Sequence, residues 1–495
     1  MNAITEPATA GPATSNRWMV LVIACLAQFM VVLDATIVNV ALPSIQRGLH
    51  FSAANLAWVV NAYTLVFGGF LLLGGRASDL LGRKRLFMAG IALFSAASLF
   101  NGLAQSSAML IVGRGLQGLG GALLSPAALS IITTTFTETG ERTRALGVWS
   151  AIAAGGGAVG LLLGGALTDL ASWPWIFIVN VPVGVLALVA TLRVIPESRA
   201  EMAHRTFDVL GAVSVTGGLV LLVFAIIKAQ TWGWGSARTI GLLGASALIL
   251  AAFIAIERRS PAPLMRLSIF RVRTLAVADL VLLLVASGLF GMFFFASLYV
   301  QEVLGYSPLK AGLAFLPVTA GIIIGAGIAQ PLTRRVGLRN IAVAGVLIAA
   351  AGLAVLTQLP VHGSYLGNLL SGLFPMSIGM GLTFVPITLL ATGGVRGDDA
   401  GLASGLFNTS QQVGGSLGLA VLSTLAASQT ASLLSGGHAA PTSAVALAAR
   451  VSGYHVAFLA AAVMLAAGGI ILALALRPRH VRDLEGELAP AAAAA

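Results

Sequence analysis

The stretch Gly75-Arg76-Ala77-Ser78-Asp79-Leu80-Leu81-Gly82-Arg83-Lys84-Arg85 separates two long apolar runs and places four cations within eleven residues. A bilayer core excludes such a cluster, so the chain turns here at a membrane surface, and short loops rich in Lys and Arg stay on the cytoplasmic side. The flanking runs are therefore read as membrane spans. A basic loop alone accounts for the cations; the glycines and Asp79 need a further reason.

Composition extends this reading to the whole chain. Of 495 residues, 58% are hydrophobic and 9% charged, with a mean hydropathy of +0.96, whereas soluble domains carry about 25% charged residues. The net charge of +11 does not mark a nucleic-acid partner, because 22 of the 28 Lys and Arg lie in or beside segments assigned to one side of the membrane. That asymmetry is a topology signal. Cys25 is the only cysteine, so no intrachain disulfide or cysteine metal cluster can form. The six histidines have no ligand spacing, and no cofactor is expected. The chain also lacks a Gly-x-x-x-x-Gly-Lys-Ser/Thr loop, which excludes an ATP-driven pump.

A span needs roughly 20 mostly apolar residues. Fourteen segments qualify: 18–42, 55–75, 86–105, 108–135, 145–169, 174–193, 208–229, 235–256, 274–302, 308–332, 340–359, 364–392, 400–427 and 453–476. The first holds Asp34 and is far longer than a signal-peptide core, so it is read as a retained anchor. An even number of spans puts both termini on the cytoplasmic side, and segment 428–452 becomes the longest outer loop. The expected fold class is an all-α membrane protein.

The chain also repeats itself. Pro331-Leu332-Thr333-Arg334-Arg335-Val336-Gly337-Leu338-Arg339 echoes the opening turn, with Gly337 lying 255 residues after Gly82. The glycines from Gly160 to Gly165 recur at nearly the same offset as Gly414, Gly415 and Gly418. Two homologous six-helix halves follow, 18–193 and 274–476, with two extra helices and their loops between them (194–273) and short cytoplasmic tails at 1–17 and 477–495. Repeats of this kind hold a substrate near the midplane between halves that rock against each other.

The first span reads Leu33-Asp34-Ala35-Thr36-Ile37-Val38-Asn39-Val40-Ala41-Leu42-Pro43. A charged carboxylate in mid-span costs at least ~2.5 kcal/mol and normally faces a cavity or a partner. Two roles are open to Asp34: a structural group that pairs helices, or a carboxyl that takes up and releases a proton. Asp34 lies nine residues inside Pro43, roughly 13 Å at the α-helical rise. Arg114 lies seven residues inside Ser107, roughly 10 Å by the same rise, and Asn61 sits at a similar depth. Asp34 and Arg114 are therefore expected to be neighbours, serving assembly alone or proton exchange.

Several stretches resemble the major facilitator superfamily of secondary transporters. The opening turn is similar to its cytoplasmic loop between helices 2 and 3. Leu110-Ile111-Val112-Gly113-Arg114-Gly115-Leu116-Gln117-Gly118-Leu119-Gly120-Gly121 resembles its helix-4 motif around a buried arginine, and the resemblance assigns Arg114, with Asp34, to proton coupling. Gly156, Gly160, Gly164 and Gly165 stand in register with the antiporter motif of helix 5, although the motif's proline is Leu161 here; tight helix packing is the plainer use of those glycines. Trp175-Ile176-Phe177-Ile178-Val179-Asn180-Val181-Pro182, Leu298 to Pro308 and Ala400 to Gln412 narrow the resemblance to the fourteen-helix drug:proton antiporter branch.

The resemblance implies export of hydrophobic, neutral or monocationic drugs or antibiotics by alternating access, with protons as the coupling ion. A transporter dedicated to one metabolite, or a membrane protein without transport activity, is the alternative. Asp79 would latch the cytoplasmic side with Gly82, Arg83 and Arg144, while the helix-5 glycines serve the gating motion. The drug cavity is expected to draw on Asn39, Asn61, Tyr63, Gln117, Phe290, Phe293, Phe294, Asn408 and Gln411, although the phenylalanines suit lipid-facing packing equally well. Asp279, six residues beyond Arg273, is expected to pair with it near the inner surface. The implied setting is a bacterial inner membrane, with lipids around a monomer.

Overall fold

In the computed structural model the described residues are 14–198, 208–261, 263–395, 399–435, 442–477 and 481. Fourteen long helices carry the chain: α1 Thr14–Leu49, α2 Trp58–Leu81, α3 Arg83–Gly102, α4 Ser107–Thr135, α5 Thr139–Leu170, α6 Asn180–Val194, α7 Val209–Trp232, α8 Ala237–Arg259, α9 Arg273–Leu298, α10 Leu316–Val336, α11 Leu338–Val355, α12 Leu370–Thr392, α13 Ala400–Ser435 and α14 Ser443–Ala475. Short helical pieces, Trp175–Ile178 and Pro308–Ala314, lead into α6 and α10. With those lead-in pieces counted, fourteen helical stretches among the described residues are long and apolar enough to cross a bilayer.

Local chemistry places the breaks. The turns after α2 and α10 each need a left-handed residue, and glycine supplies it: φ is +111° at Gly82 and +89° at Gly337. Ser106, Ser236 and Thr442 cap the amide ends of α4, α8 and α14 by accepting from Met109, Thr239 and Val445. The expected outer loop 428–452 is corrected: α13 runs to Ser435 and α14 begins at Ser443. With 33 residues, α14 is about 50 Å long at the helical rise, well beyond the ~30 Å hydrocarbon core. Helix continuing past the apolar run was invisible to a span count.

The two halves repeat the same packing. The fifth helix of each lies on the first: Gly156, Gly160 and Gly164 of α5 meet Val32, Thr36 and Ile37 of α1, while Gly414 and Gly418 of α13 meet Leu283 and Ser287 of α9. A cation just after each glycine turn caps the carbonyl end of the sixth helix. Lys84 Nζ donates to the Leu192 carbonyl at 3.1 Å, and Arg339 Nη2 donates to that of Ala473 at 2.5 Å. Positive charge is favoured at such helix ends. The face holding these turns and the starts of α1 and α9 is the basic face; the opposite one is the far face.

Contacts between halves gather at the far face and the middle. Ser297 Oγ donates to the Asn39 carbonyl at 2.6 Å and Gln301 Nε2 to that of Val40 at 2.8 Å. Gly165 lies on Pro308, and Gly312 on the Leu161 backbone. The seam between α2 and α13 runs deeper, through a Thr64–Ser416 hydroxyl pair and a 3.2 Å bond from Thr409 Oγ1 to the Gly68 carbonyl. The far face is thus sealed where α1 and α5 meet α9 and α10.

Candidate functional site

Asp34 is fully buried at the middle of α1, and the chain surrounds it with donors from other helices. Arg114 Nη1, on α4, donates to Asp34 Oδ2 at 2.5 Å, and Gln117 Nε2 donates to Oδ1 at 2.6 Å. Asn180 Nδ2, at the start of α6, reaches Oδ1 at 3.3 Å. Arg114 and Gln117 face Asp34 together because residues three apart share a helix face. The carboxylate therefore has a partner for each oxygen.

A second layer holds these donors in place. Arg114 Nε donates to the Val59 carbonyl at 2.9 Å and Nη1 also to Gln117 Oε1 at 2.7 Å, while the Tyr63 ring lies 4.4 Å from the guanidinium carbon. Gln117 Nε2 donates further to Ser98 Oγ at 2.7 Å, and Asn101 Nδ2 to Gln117 Oε1 at 2.8 Å. Each charge thus has an opposite charge and polar contacts within an otherwise apolar bundle. Such an arrangement tolerates buried ions, whereas removal of either partner is severe, at about 3–5 kcal/mol.

The structure brings Asp34 and Arg114 together at the depth their spans implied. The expected cavity set divides. Asn61, Tyr63, Gln117 and Phe294 are fully buried. Gln117 and Tyr63 serve the Asp34–Arg114 network, and Phe294 packs edge-on against Phe295, their centroids 5.1 Å apart. Asn39, Phe290, Phe293 and Gln411 are half-buried and Asn408 is exposed. Phe290 lies flat against Gly415, and Phe293 meets Phe315 with centroids 5.6 Å apart. Sequence reasoning missed Ser98, Asn101 and Asn180. Their signal was available: polar residues inside spans, at the depth of Arg114.

The gating residues also divide. The Asp79 side chain lies outside the described residues. Gly82 forms the positive-φ turn, Arg83 Nε donates to Ser130 Oγ at 2.7 Å, and Arg144 stands exposed on α5. Of the helix-5 glycines, Gly156, Gly160 and Gly164 pack within one half, whereas Gly165 touches the other. The expected pairing of Asp279 with Arg273 is corrected: Arg273 Nε donates to the Ala475 carbonyl at 2.8 Å, and neither Asp279 oxygen has a partner among the described residues. Six residues turn a helix through about 240°, so the two side chains leave α9 on different faces.

A Major Facilitator Superfamily model matches residues 24–419. The puromycin resistance protein pur8 of Streptomyces alboniger is 42% identical over 457 residues, covering 92% of this chain and 90% of that protein. The cephamycin export protein CmcT of Amycolatopsis lactamdurans is 42% identical over 420 residues, covering 84% of this chain and 86% of that protein. Among solved structures, a bacterial homologue of the lysosomal transporter Spinster, inward-facing and unoccupied, superposes with a TM-score of 0.65 at 17% identity, covering 95% and 99% of the two chains. At that identity the likeness is one of fold.

Proposed function

The chain belongs to the Major Facilitator Superfamily, and on that premise we propose that it is a secondary exporter of antibiotic-like compounds, driven by protons moving inward. The observation that carries this reading is the buried carboxylate of Asp34 held by Arg114. The relatives named above are an antibiotic resistance protein and an antibiotic export protein, which supports the substrate class. The compounds are hydrophobic and neutral or monocationic. The half-buried Asn39, Phe290, Phe293 and Gln411, with Asn408, supply the aromatic and uncharged polar contacts they need.

The coupling step lies in α1. Charged Asp34 ties α1 to α4 and α6 through Arg114, Gln117 and Asn180. A proton on Asp34 removes the ion pair, while Arg114 keeps Val59, Gln117 and the Tyr63 ring. The same helix forms the far-face seal, through the carbonyls of Asn39 and Val40. Loosening α1 at Asp34 therefore changes the stability of that seal, which is the differential interaction a population shift requires. The basic face is cytoplasmic, as are both termini, and the protein works as a monomer in the bacterial inner membrane. Asp79 latches the basic face when the far face opens.

The test uses purified protein in liposomes with an imposed pH gradient, a lipophilic monocationic dye and an uncharged antibiotic as substrates. Wild-type protein moves both against their gradients and dissipates the pH gradient in doing so. Asp34→Asn protein, folded and inserted, should bind substrate and lose uphill movement. Full uphill transport by that variant overturns the proposal.

A further inference from the structure

Asp279 is a second acid in the membrane region, and the Asp34 network does not use it. It lies six residues into α9 from Arg273, is 5% exposed, and neither carboxyl oxygen has a hydrogen-bond partner among the described residues. Its place on the helix follows from its neighbours. Leu275 packs with Ala403 and Leu406 of α13, the Leu283 backbone closes on Gly414, and Ser287 closes on Gly418. Asp279 is one turn from Leu275 and one from Leu283, so it shares their face. The two helices run parallel, and the α13 line Leu406, Ser410, Gly414, Gly418 puts Ser410 opposite it. The repeat does not explain the residue, since the offset of 255 residues maps it onto Ala24.

Among the described residues, no neighbouring element offers it a charge. On α9 itself Arg273 is engaged with the Ala475 carbonyl, and Arg271 lies in the turn before it. Neither α12 nor α13 contains a Lys, Arg, His, Asp, Glu, Cys or Tyr. On α14 the ionisable residues are Arg450, Tyr454 and His455, all in the far-face part of that helix. Tyr454 and Arg450 both bond Glu302, and His455 bonds the Leu359 carbonyl. On α1 the charged groups are Arg17, Asp34 and Arg47, bonded to Glu141, Arg114 and the Pro43 carbonyl respectively. An ionised, unpartnered carboxylate there is strongly disfavoured, whereas the neutral acid is tolerated.

The surroundings also say what its ionisation would move. Helix α13 packs on α9 through glycine and on the other half through its opposite side, where Gly405 meets Leu72, Thr409 bonds Gly68 and Gln412 lies against Gly68. A group that seats against α13 when neutral and requires water when charged biases how closely α9 holds α13, the helix whose opposite side forms the seam with the other half. We propose that Asp279 is a second proton-binding site, in the half opposite Asp34, whose proton is carried with α13 docked and released to water when α13 separates from α9. This rests on the proton-coupled reading above and adds a proton that Asp34 does not carry.

Two measurements on the full-length protein test it. In liposomes, the proton-to-substrate ratio is obtained from the membrane potential and pH gradient at which transport of the lipophilic dye reverses. Asp279→Asn should keep uphill transport and lower that ratio by one; transport at an unchanged ratio overturns the proposal. Transport by wild-type protein with no proton movement sinks the coupling reading instead, and this proposal with it. The second measurement does not need an active variant. Dicyclohexylcarbodiimide modifies neutral carboxyls in apolar surroundings, and peptide mass spectrometry locates the adduct. Wild-type protein should be modified at Asp279 near neutral pH, with modification falling as pH rises and as substrate turnover parts α13 from α9. No adduct at Asp279 across that range, or one insensitive to pH, overturns the proposal even if Asp279→Asn proves inactive.

Discussion

Gly165→Ala should move the protein from a far-face-closed to a far-face-open population. A Cβ at Gly165 would lie 2.6 Å from the Pro308 carbonyl oxygen and 2.9 Å from Leu309 Cα. Both are backbone atoms, which cannot rotate away, and both belong to the opposite half. Overpacking of this kind costs about 1–3 kcal/mol. The contact exists only while the far face is sealed, so the cost falls on one state. At ~2 kcal/mol the equilibrium moves roughly 30-fold, each 1.4 kcal/mol being tenfold. Gly164→Ala is the matched control. Its Cβ would meet Ile37 O at 2.7 Å and Ile37 Cα at 3.1 Å, but Ile37 lies in the same half, so both states suffer alike. The assay is maleimide labelling of Ser297→Cys, at the seal, in a Cys25→Ser background. Labelling should rise on the order of 30-fold with Gly165→Ala and stay nearly constant with Gly164→Ala, which instead lowers thermal stability. Unchanged labelling with Gly165→Ala, or an equal rise from both, refutes the reasoning.

Three further outcomes follow from the buried network and the helix ends. Arg114→Met leaves Asp34 without its counter-charge and should cost about 3–5 kcal/mol; adding Asp34→Asn removes the stranded charge, so the double variant should melt above the single one. Gln117→Leu strips a donor from Asp34 and from Ser98 a partner, and should cost about 1–3 kcal/mol for the polar groups left unpaired, read as a lower thermal midpoint together with slower transport. Lys84→Ala and Arg339→Ala should each lose about 0.3–1 kcal/mol from the uncapped carbonyl ends of α6 and α14, a small midpoint shift with transport retained; a large loss of transport from either would show a role beyond capping.

Much of the architecture was legible because a bilayer is a simple solvent. It demands long apolar helices and rejects cations, so span number and the basic turns follow from composition along the chain. Asp34 and Arg114 were legible by depth, because residue counts from a span end convert directly into distance along the membrane normal. Azimuth was the missing coordinate. Gln117 was assigned to the cavity as a polar residue in a span, although its spacing of three from Arg114 already placed both on one face. Asp279 was assigned to Arg273 by proximity in sequence, although the helical turn between them argued against it.

The sequence by itself determined the fourteen spans, the two glycine turns with their cations, the repeat and the depth of the buried acid and base. Tertiary structure alone decided that Ser98, Asn101 and Asn180 join them, that Gly165 belongs to the seam between halves while Gly164 does not, and that Asp279 has no partner among the described residues. The physical reason is that burial in a membrane is set by distance along one axis, which residue counting measures. Which side chains meet depends on how helices rotate and pack against one another, and that is settled by close contact between backbones far apart in sequence.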